Sequence, residues 1–161
     1  ANGEEISKLV TKVRYLALAD FKIKEKYKEE LEFEYRSSYF QKNPDKIILK
    51  AWFMLAPGNF NTIKAKLVAN KQSRWAKKPR DYPNCGSVFK MPEGFYVGKM
   101  IDNLGLKGFT IGGAQISKKH SGFIINIGNS TGAHILSVIE EVKRMVKDEF
   151  GLDLEVEQRI I

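Results

Sequence analysis

Strand-like and helical patterns follow one another irregularly along this chain of 161 residues, and their order restricts the fold more than any other feature. Residues 8–18, 21–27 and 46–55 are rich in β-branched, aromatic or alternating apolar residues, which predicts three early strands. A short helical turn is expected within 28–40. Because no strand–helix–strand unit recurs, we expect an α+β fold with mixed or antiparallel sheets and packed helices.

Three helices are predicted after the third strand. Asn59 can cap a helix that starts at Phe60, and Gly105 ends a two-turn helix within 96–108. Thr131 can cap the last helix, and Gly151 stops it. The apolar face of the first helix carries Phe60, Ile63, Leu67 and Val68, and that of the last carries Ile135, Val138, Ile139, Val142, Val146 and Phe150.

Two later segments are predicted to be strands. Residues 122–129, with the sequence GFIINIGN, have the pattern of a buried strand. Residues 152–161 alternate between apolar and polar positions, which predicts a strand with one buried face. Leu152, Leu154, Val156 and Ile160 form the apolar face, and Glu155, Glu157 and Arg159 the polar face.

Length and composition bound the class of protein. With 43% apolar residues, the chain can form one domain, or one domain and part of another. It contains no run of about 20 apolar residues, and its start lacks the pattern of a signal peptide. Cys85 is the single cysteine, so an intrachain disulfide is impossible. These features predict a soluble, cytoplasmic protein with no membrane partner.

The net charge of +8 is concentrated in one region. Residues 61–90 contain eight basic residues and one acidic residue, Asp81. Arg74, Lys77 and Lys78 lie where the predicted helix gives way to a loop, so their cationic groups can converge on one phosphate. A solvated basic loop fits the residues equally well. With Trp75 nearby, the region is also compatible with a module that binds RNA or single-stranded DNA.

Several side chains could carry chemistry, although each has a simpler structural interpretation. Ser87 follows Gly86 without the G-x-S-x-G pattern of a nucleophile elbow, which favours an ordinary turn. Glu157 can transfer a proton or form a surface ion pair, and the residues alone favour the ion pair. Arg36 can point into a cleft or pack on the neighbouring Tyr35, and packing is favoured.

Cysteine and histidine chemistry is the remaining alternative. Cys85 and His120 could form a thiol nucleophile with its base, as in a cysteine hydrolase, but a single cysteine is more often a small packing residue. His134 falls in the first turn of the last predicted helix. Because these three residues lack the spacing of metal ligands, we predict no zinc or other metal site.

Five segments together resemble the UDP-N-acetylenolpyruvoylglucosamine reductase family, also called UDP-N-acetylmuramate dehydrogenases. In the family's order and spacing they read EFEYRSSYF, RWAKKPRDYP, CGSVFKMPEG, GLKGFTIGGAQISKKHSGFIIN and FGLDLEVEQRII. The extra tyrosine loop of the family's enterobacterial subgroup is absent, which indicates the shorter subgroup. The resemblance implies a bacterial enzyme of peptidoglycan synthesis in which NADPH reduces FAD and the flavin reduces UDP-N-acetylglucosamine enolpyruvate to UDP-N-acetylmuramate.

The resemblance also implies roles for individual residues. Ser87 matches the family's proton donor, Arg36 the arginine that stabilises the developing carboxylate-enolate, and Glu157 the carboxylate that assists protonation. Substrate-binding roles fall on Lys77 and Lys90, and flavin-binding roles on Tyr35, Arg74 and Arg159. Met91 departs from the family, which usually has asparagine or a basic residue there.

Members of this family are roughly twice as long, and their first half holds the glycine-rich segment that seats the FAD pyrophosphate. The resemblance therefore implies the carboxyl-terminal portion of a reductase, with an incomplete FAD site and a missing amino-terminal partner half. We expect residues 1–78 to be the end of the flavin domain and residues 79–161 to be the substrate domain. We expect the chain alone to be inactive, and under this interpretation no nucleic acid partner is expected.

Overall fold

The computed structural model describes residues 5–160. They divide into two compact units, Ala1–Leu67 and Val68–Ile161, each with its own sheet. Both sheets are antiparallel, and helices accompany them in an irregular order. The predicted α+β fold class is therefore confirmed. None of the helices within 5–160 has the length and apolar character needed to span a bilayer.

The first unit is built on a sheet of three strands. Its strands are β1 (Val10–Ala17), β2 (Lys22–Tyr27) and β3 (Lys46–Phe53), with β1 in the centre. They match the three predicted early strands. The helical turn expected within 28–40 is a 3-10 turn at Lys28–Glu30 followed by the short helix α1 (Tyr39–Lys42).

A small core lies beneath one face of this sheet. Val10, Val13 and Leu31 are buried together, with Phe40 packed against them. The ring of Tyr15 lies 5.4 Å from that of Phe40 in an edge-to-face arrangement, which adds aromatic contact to the packing.

The long helix α2 (Phe60–Lys77) spans the boundary between the two units. Asn59 caps it as predicted, because its Oδ1 accepts hydrogen bonds from the backbone N–H groups of Asn61 at 3.0 Å and Thr62 at 3.2 Å. No residue of α2 is buried within the described chain. Its predicted apolar face is exposed at Phe60, Ile63, Leu67 and Val68.

The second unit contains α3 (Val97–Asn103), the short strands β4 (Thr110–Ile111), β5 (Ala114–Ile116) and β6 (Ile124–Asn126), and α4 (Gly132–Phe150). Helix α3, strand β6 and helix α4 were predicted, whereas the β4–β5 hairpin was not. The core of the unit is formed mainly by α3, the sheet and α4, through residues Val97, Met100, Ile101, Ala114, Ile116, Ile124, Val138, Ile139, Val142 and Val146.

Both ends of α4 have the predicted caps. Thr131 Oγ1 accepts a hydrogen bond from the backbone N–H of His134 at 3.2 Å, which satisfies one free donor of the first turn. Gly151 adopts a left-handed conformation with φ of 69° and donates its N–H to the carbonyl of Lys147. These caps place the start of the last segment, residues 152–160, at the end of α4.

The predicted final strand is wrong in its extent. Within 152–160 the backbone pairs as an isolated bridge between Val156 and Phe89. Leu154 is buried as the alternation predicts, but Ile160 is 60% exposed. The reason lies in the partner segment, because Gly86 with φ of 89° and Pro92 interrupt extended backbone on either side of Phe89.

Candidate functional site

The segment that carries Ser87 runs between two other pieces of backbone. On one side Ser87 forms a β-bridge with Phe123, and the N–H of Val88 donates to the carbonyl of Gly122 at 2.9 Å. Val88 is buried in the core of the second unit. Ser87 itself is half-buried, so its position is fixed while its side chain stays partly accessible.

On its other side the segment pairs with the end of the chain. The N–H of Glu157 donates to the carbonyl of Val88 at 2.7 Å, and Gln158 Nε2 donates to the carbonyl of Gly86 at 3.3 Å. Glu157 is half-buried. The structure thus brings Ser87 and Glu157, which are far apart in sequence, onto adjacent paired segments.

The turn before Ser87 is held by Asn84. Its Nδ2 donates to the carbonyls of Pro79 at 2.7 Å and Tyr82 at 2.9 Å, while its Oδ1 accepts the N–H of Gly86 at 3.1 Å. An asparagine that bonds backbone two residues ahead is typical of a turn. Asn84 was not among the predicted site residues, although the Pro-Asn pair in DYPNCG is a signal that could have identified it.

Lys90 forms an ion pair that the sequence did not predict. Its Nζ contacts Glu155 Oε1, and its backbone N–H donates to the Glu155 carbonyl at 2.8 Å. Lys90 is half-buried, whereas the Glu155 side chain is 69% exposed. An exposed carboxylate of this kind holds the lysine with a free energy of about 1 kcal/mol at most, so the ammonium can exchange it for a ligand phosphate.

Three cationic residues lie at the carboxyl end of α2 and just beyond it. Arg74 and Lys77 occupy the last turn, where positive charge is favourable to the helix dipole. The ammonium of Lys78 lies 4.5 Å from the centroid of the Phe123 ring. Burial lowers the pKa of Lys78, and the charges of Arg74 and Lys77 lower it further.

His120 contacts the same Phe123 ring. Its ring lies 4.8 Å from that of Phe123, and its Nδ1 accepts the N–H of Gly122 at 3.1 Å. Burial lowers the pKa of His120, and the charge of Lys78 lowers it further. The neutral imidazole is therefore favoured, and its Nδ1 is already engaged with backbone.

The loop that carries His120 is tied down at further points. Ser117 Oγ accepts the N–H groups of Lys119 at 3.2 Å and His120 at 3.3 Å. The buried Ser121 hydroxyl donates to Asp102 on α3, which also forms an ion pair with Lys107 at 3.1 Å. These contacts hold the loop in place beside Phe123.

Tyr35 and Arg36 lie in the first unit, at the centre of a tight turn. The turn is closed by reciprocal backbone hydrogen bonds between Glu34 and Ser37, at 3.0 and 3.2 Å. Arg36 adopts φ of 56°, and its guanidinium lies 5.2 Å from the Tyr35 ring centroid. A left-handed conformation costs a residue with a Cβ about 1–2 kcal/mol, and such strain is concentrated at functional positions.

The other candidates are placed as follows. Arg159 is exposed near the end of the described chain, and Met91 is exposed beside Lys90. Cys85 is exposed, and His120, its predicted base in the hydrolase interpretation, uses Nδ1 for a backbone contact.

His134 has a structural role that sequence reasoning missed, since its Nδ1 accepts N–H groups from Gly113 at 3.4 Å and Thr131 at 3.3 Å. Residues 5–160 contain no group of three potential metal ligands.

Comparison with known proteins decides the family. The family model described as "UDP-N-acetylenolpyruvoylglucosamine reductase, C-terminal domain" matches residues 78–161, which include Ser87, Lys90 and Glu157. The chain belongs to the UDP-N-acetylenolpyruvoylglucosamine reductase family. The resemblance on which the sequence interpretation rests is therefore confirmed.

Relatives with that name align along the chain. The reductase of Limosilactobacillus reuteri is 48% identical over 161 residues, covering 100% of this chain and 53% of its own length. The reductase of Caldanaerobacter subterraneus is 44% identical, with the same coverage of both chains. The crystal structure of the reductase from Thermus caldophilus matches with a TM-score of 0.83 at 27% identity, over 99% of this chain and 55% of that one. The chain thus spans about half the length of these relatives.

Proposed function

We propose that this chain is part of a cytoplasmic flavoenzyme that reduces UDP-N-acetylglucosamine enolpyruvate to UDP-N-acetylmuramate in peptidoglycan synthesis. The observation that carries the proposal is the pairing of the Ser87 segment with the segment of Glu157, in a chain of this reductase family. Bound FAD, reduced by NADPH, would supply the hydride. The residues of this chain would bind the substrate and complete its protonation.

Ser87 is the proposed proton donor. A hydroxyl that returns a proton to carbon must be held still and must remain accessible to the substrate. The bridge to Phe123 and the buried Val88 beside it hold the Ser87 backbone, while the half-buried side chain keeps access. Glu157, whose backbone bonds to Val88, would assist the transfer by orienting the proton or by polarising the enol ether.

Arg36 would stabilise the negative charge that develops on the substrate carboxylate-enolate. A guanidinium provides several N–H donors in a fixed plane, which suits a carboxylate. The tight turn and the left-handed backbone restrict the directions that the Arg36 side chain can take. Such preorganisation lowers the reorganisation needed as charge develops.

The basic groups of the second unit would hold the diphosphate of the nucleotide-sugar. Lys77 and Lys90 are the proposed substrate contacts, and Lys90 would leave the exposed Glu155 for a phosphate. Arg74, Arg159 and Tyr35 would contact FAD. Arg74 and Arg159 fit an anionic group, because neither forms an ion pair with another residue of the described range.

We further propose the division into a partial FAD-binding domain, residues 1–78, and a substrate-binding domain, residues 79–161. The start of the family match at residue 78 supports this boundary. A chain of about half the relatives' length would lack part of the FAD site, so it would turn over little or no substrate without an amino-terminal partner half.

Ligand titration followed by amide NMR tests the proposed function. UDP-N-acetylmuramate, the proposed product, should shift the amides of Lys77, Ser87 and Lys90, and UMP, which lacks the diphosphate, should shift them less. Lys77→Gln should weaken binding, because it removes a phosphate contact. Lys99→Gln, on the exposed surface of α3, should not. The proposal fails if millimolar product leaves these amides unchanged.

A further inference from the structure

The side chain of His120 is connected to the backbone beside Ser87 by two consecutive hydrogen bonds. His120 Nδ1 accepts the N–H of Gly122 at 3.1 Å. The carbonyl of Gly122 in turn accepts the N–H of Val88 at 2.9 Å. Gly122 is therefore held at both of its peptide groups, one by the imidazole and the other by the residue after Ser87. None of the roles proposed above uses this connection.

The imidazole fits closely against Gly122. A Cβ added to Gly122 would lie 3.1 Å from Cε1 and 3.3 Å from Nδ1 of His120, which is tighter than most contacts of a Cβ atom. The ring is restrained by its edge-to-face contact with Phe123, at 4.8 Å between the centroids. Gly98 of α3 lies beside the ring, since a Cβ there would be 4.0 Å from Cε1. These contacts fix Nδ1 where it meets the N–H of Gly122.

Only a neutral imidazole with its proton on Nε2 can accept this hydrogen bond. Nδ1 accepts the N–H of Gly122 through its lone pair, and protonation of Nδ1 would place two donors against each other. An imidazolium would therefore lose its bond to Gly122. The protonation state of His120 thus decides whether Gly122, and with it the peptide group between Ser87 and Val88, is held.

The charged groups that act on His120 come from several segments of the second unit. Burial lowers the pKa of His120 most, and the charge of Lys78, just beyond α2, lowers it next. Asp102 on α3 raises this pKa, and Lys107, which pairs with Asp102 at 3.1 Å, lowers it. Lys78 and His120 also contact the same Phe123 ring. Lys78 is therefore the side chain that contributes most to keeping the imidazole neutral.

We propose that His120 is a positioning residue for Ser87, which acts through Gly122 and only as the neutral imidazole. Lys78 supports this role through its charge. The inference rests on the proposed function in one respect, because the reaction step that it affects is the protonation assigned to Ser87. A misplacement of about 1 Å at a reacting group can slow a reaction about 10²-fold. Protonation of His120 should therefore slow the step that uses the Ser87 hydroxyl.

Hydrogen exchange of the Val88 amide, measured by NMR on the chain itself, tests the positioning without any ligand. The protection factor of this amide should fall about 5–10-fold as the imidazole signals of His120 report its protonation, which is the effect expected from weakening one hydrogen bond. A histidine that only fills space beside Phe123 would not couple its protonation to this amide.

Variants at His120 and Lys78 separate positioning from packing. His120→Phe keeps an aromatic ring without the acceptor, so Val88 should be poorly protected at every pH. His120→Asn restores an acceptor for the N–H two residues ahead and does not titrate, so protection should stay high as the pH falls. Lys78→Gln should move the change to higher pH, because it removes a charge that lowers the pKa of His120. Lys118→Gln, at an exposed position of the same loop, should not move it.

In the complete flavoenzyme, the same variants should affect flavin reoxidation by the substrate and not flavin reduction by NADPH. His120→Phe should slow reoxidation about 10–100-fold. His120→Asn should slow it much less and should reduce its decline at low pH.

The inference is overturned if the protection of Val88 does not follow the protonation of His120, or if the Asn and Phe variants behave alike. Either result counts against it even where Ser87→Ala slows reoxidation. If Ser87→Ala leaves reoxidation unchanged while the exchange results hold, the role proposed for Ser87 is wrong and the positioning of its backbone by His120 stands.

Discussion

Replacement of Gly86 by alanine tests how the backbone before Ser87 is held. Gly86 adopts φ of 89°, its N–H bonds to Asn84 Oδ1, and its carbonyl accepts from Gln158. A Cβ added at this position would meet no atom within 4 Å. The cost of the substitution is therefore backbone strain without a steric clash.

The magnitude follows from that distinction. A left-handed conformation costs an L-residue about 1–2 kcal/mol, so Gly86→Ala should lower the free energy of unfolding by that amount. Gly86→Asn should lower it less, since asparagine tolerates the left-handed region. Gly113→Ala provides the contrast, because its Cβ would lie 2.0 Å from the Gly128 carbonyl oxygen and 2.5 Å from the Ser130 nitrogen. Those atoms are backbone and cannot move aside cheaply, so about 3 kcal/mol or more is expected.

Urea unfolding followed by NMR signals of α4 measures the second unit, which contains both glycines. With a slope of about 2 kcal/mol/M, Gly86→Ala should lower the midpoint by roughly 0.5–1 M and Gly113→Ala by more. The reasoning is refuted if Gly86→Ala leaves the midpoint unchanged, or if the two alanine variants are equally destabilised. A result in which asparagine is worse than alanine at position 86 would contradict the assigned conformation.

Three other predictions concern the same unit. Leu154→Ala should lower the free energy of unfolding by about 2–5 kcal/mol and should reduce the hydrogen-exchange protection of the Glu157 amide. Ile160→Ala, at an exposed position, should change the free energy of unfolding by less than about 0.5 kcal/mol. Equal losses of stability in the two variants would contradict the packing described. Burial lowers the pKa of His120 from its ordinary value of 6.5, so its contribution to stability is present above pH 6.5 and is lost as the pH falls through the lower pKa of the folded state. Stability measured by urea unfolding between pH 7 and 5 should therefore fall less in His120→Gln, and an equal fall would assign the effect elsewhere. In the complete flavoenzyme, Ser87→Ala should slow flavin reoxidation by the substrate about 10²–10⁴-fold in stopped-flow experiments, while flavin reduction by NADPH stays unchanged. If both steps slow equally, Ser87 is not the proton donor.

The fold was predictable wherever local signals agree. Asn59 and Thr131 cap helices as expected, and Gly151 ends α4, because these residues satisfy or release backbone hydrogen bonds over a few positions. The β4–β5 hairpin was missed, because strands of two and three residues are too short to show an alternating apolar and polar pattern. The last strand was overestimated because alternation says nothing about whether a partner of equal length exists.

The membership of the candidate site came from the family resemblance and stays a prediction, whereas the contacts of its residues could not be predicted at all. Family resemblance selected Ser87, Lys90 and Glu157, and the family match covers all three. No pattern indicated that Lys90 pairs with Glu155, that Asn84 holds the turn, or that His120 and Lys78 share the Phe123 ring. The convergence of Arg36 with Ser87 and Glu157 on one substrate carbon stays a prediction.

The amino-acid sequence by itself determined the types of most helices and strands, the helix caps, the position of the positive charge and the family. These properties depend on neighbouring residues or on motif order, which a chain displays before it folds. The tertiary structure decided which segments flank Ser87, which acid holds Lys90 and which ring the Lys78 ammonium contacts. Those outcomes depend on contacts between residues far apart in sequence, and such contacts form only when burial of a common core brings their backbones to hydrogen-bonding distance.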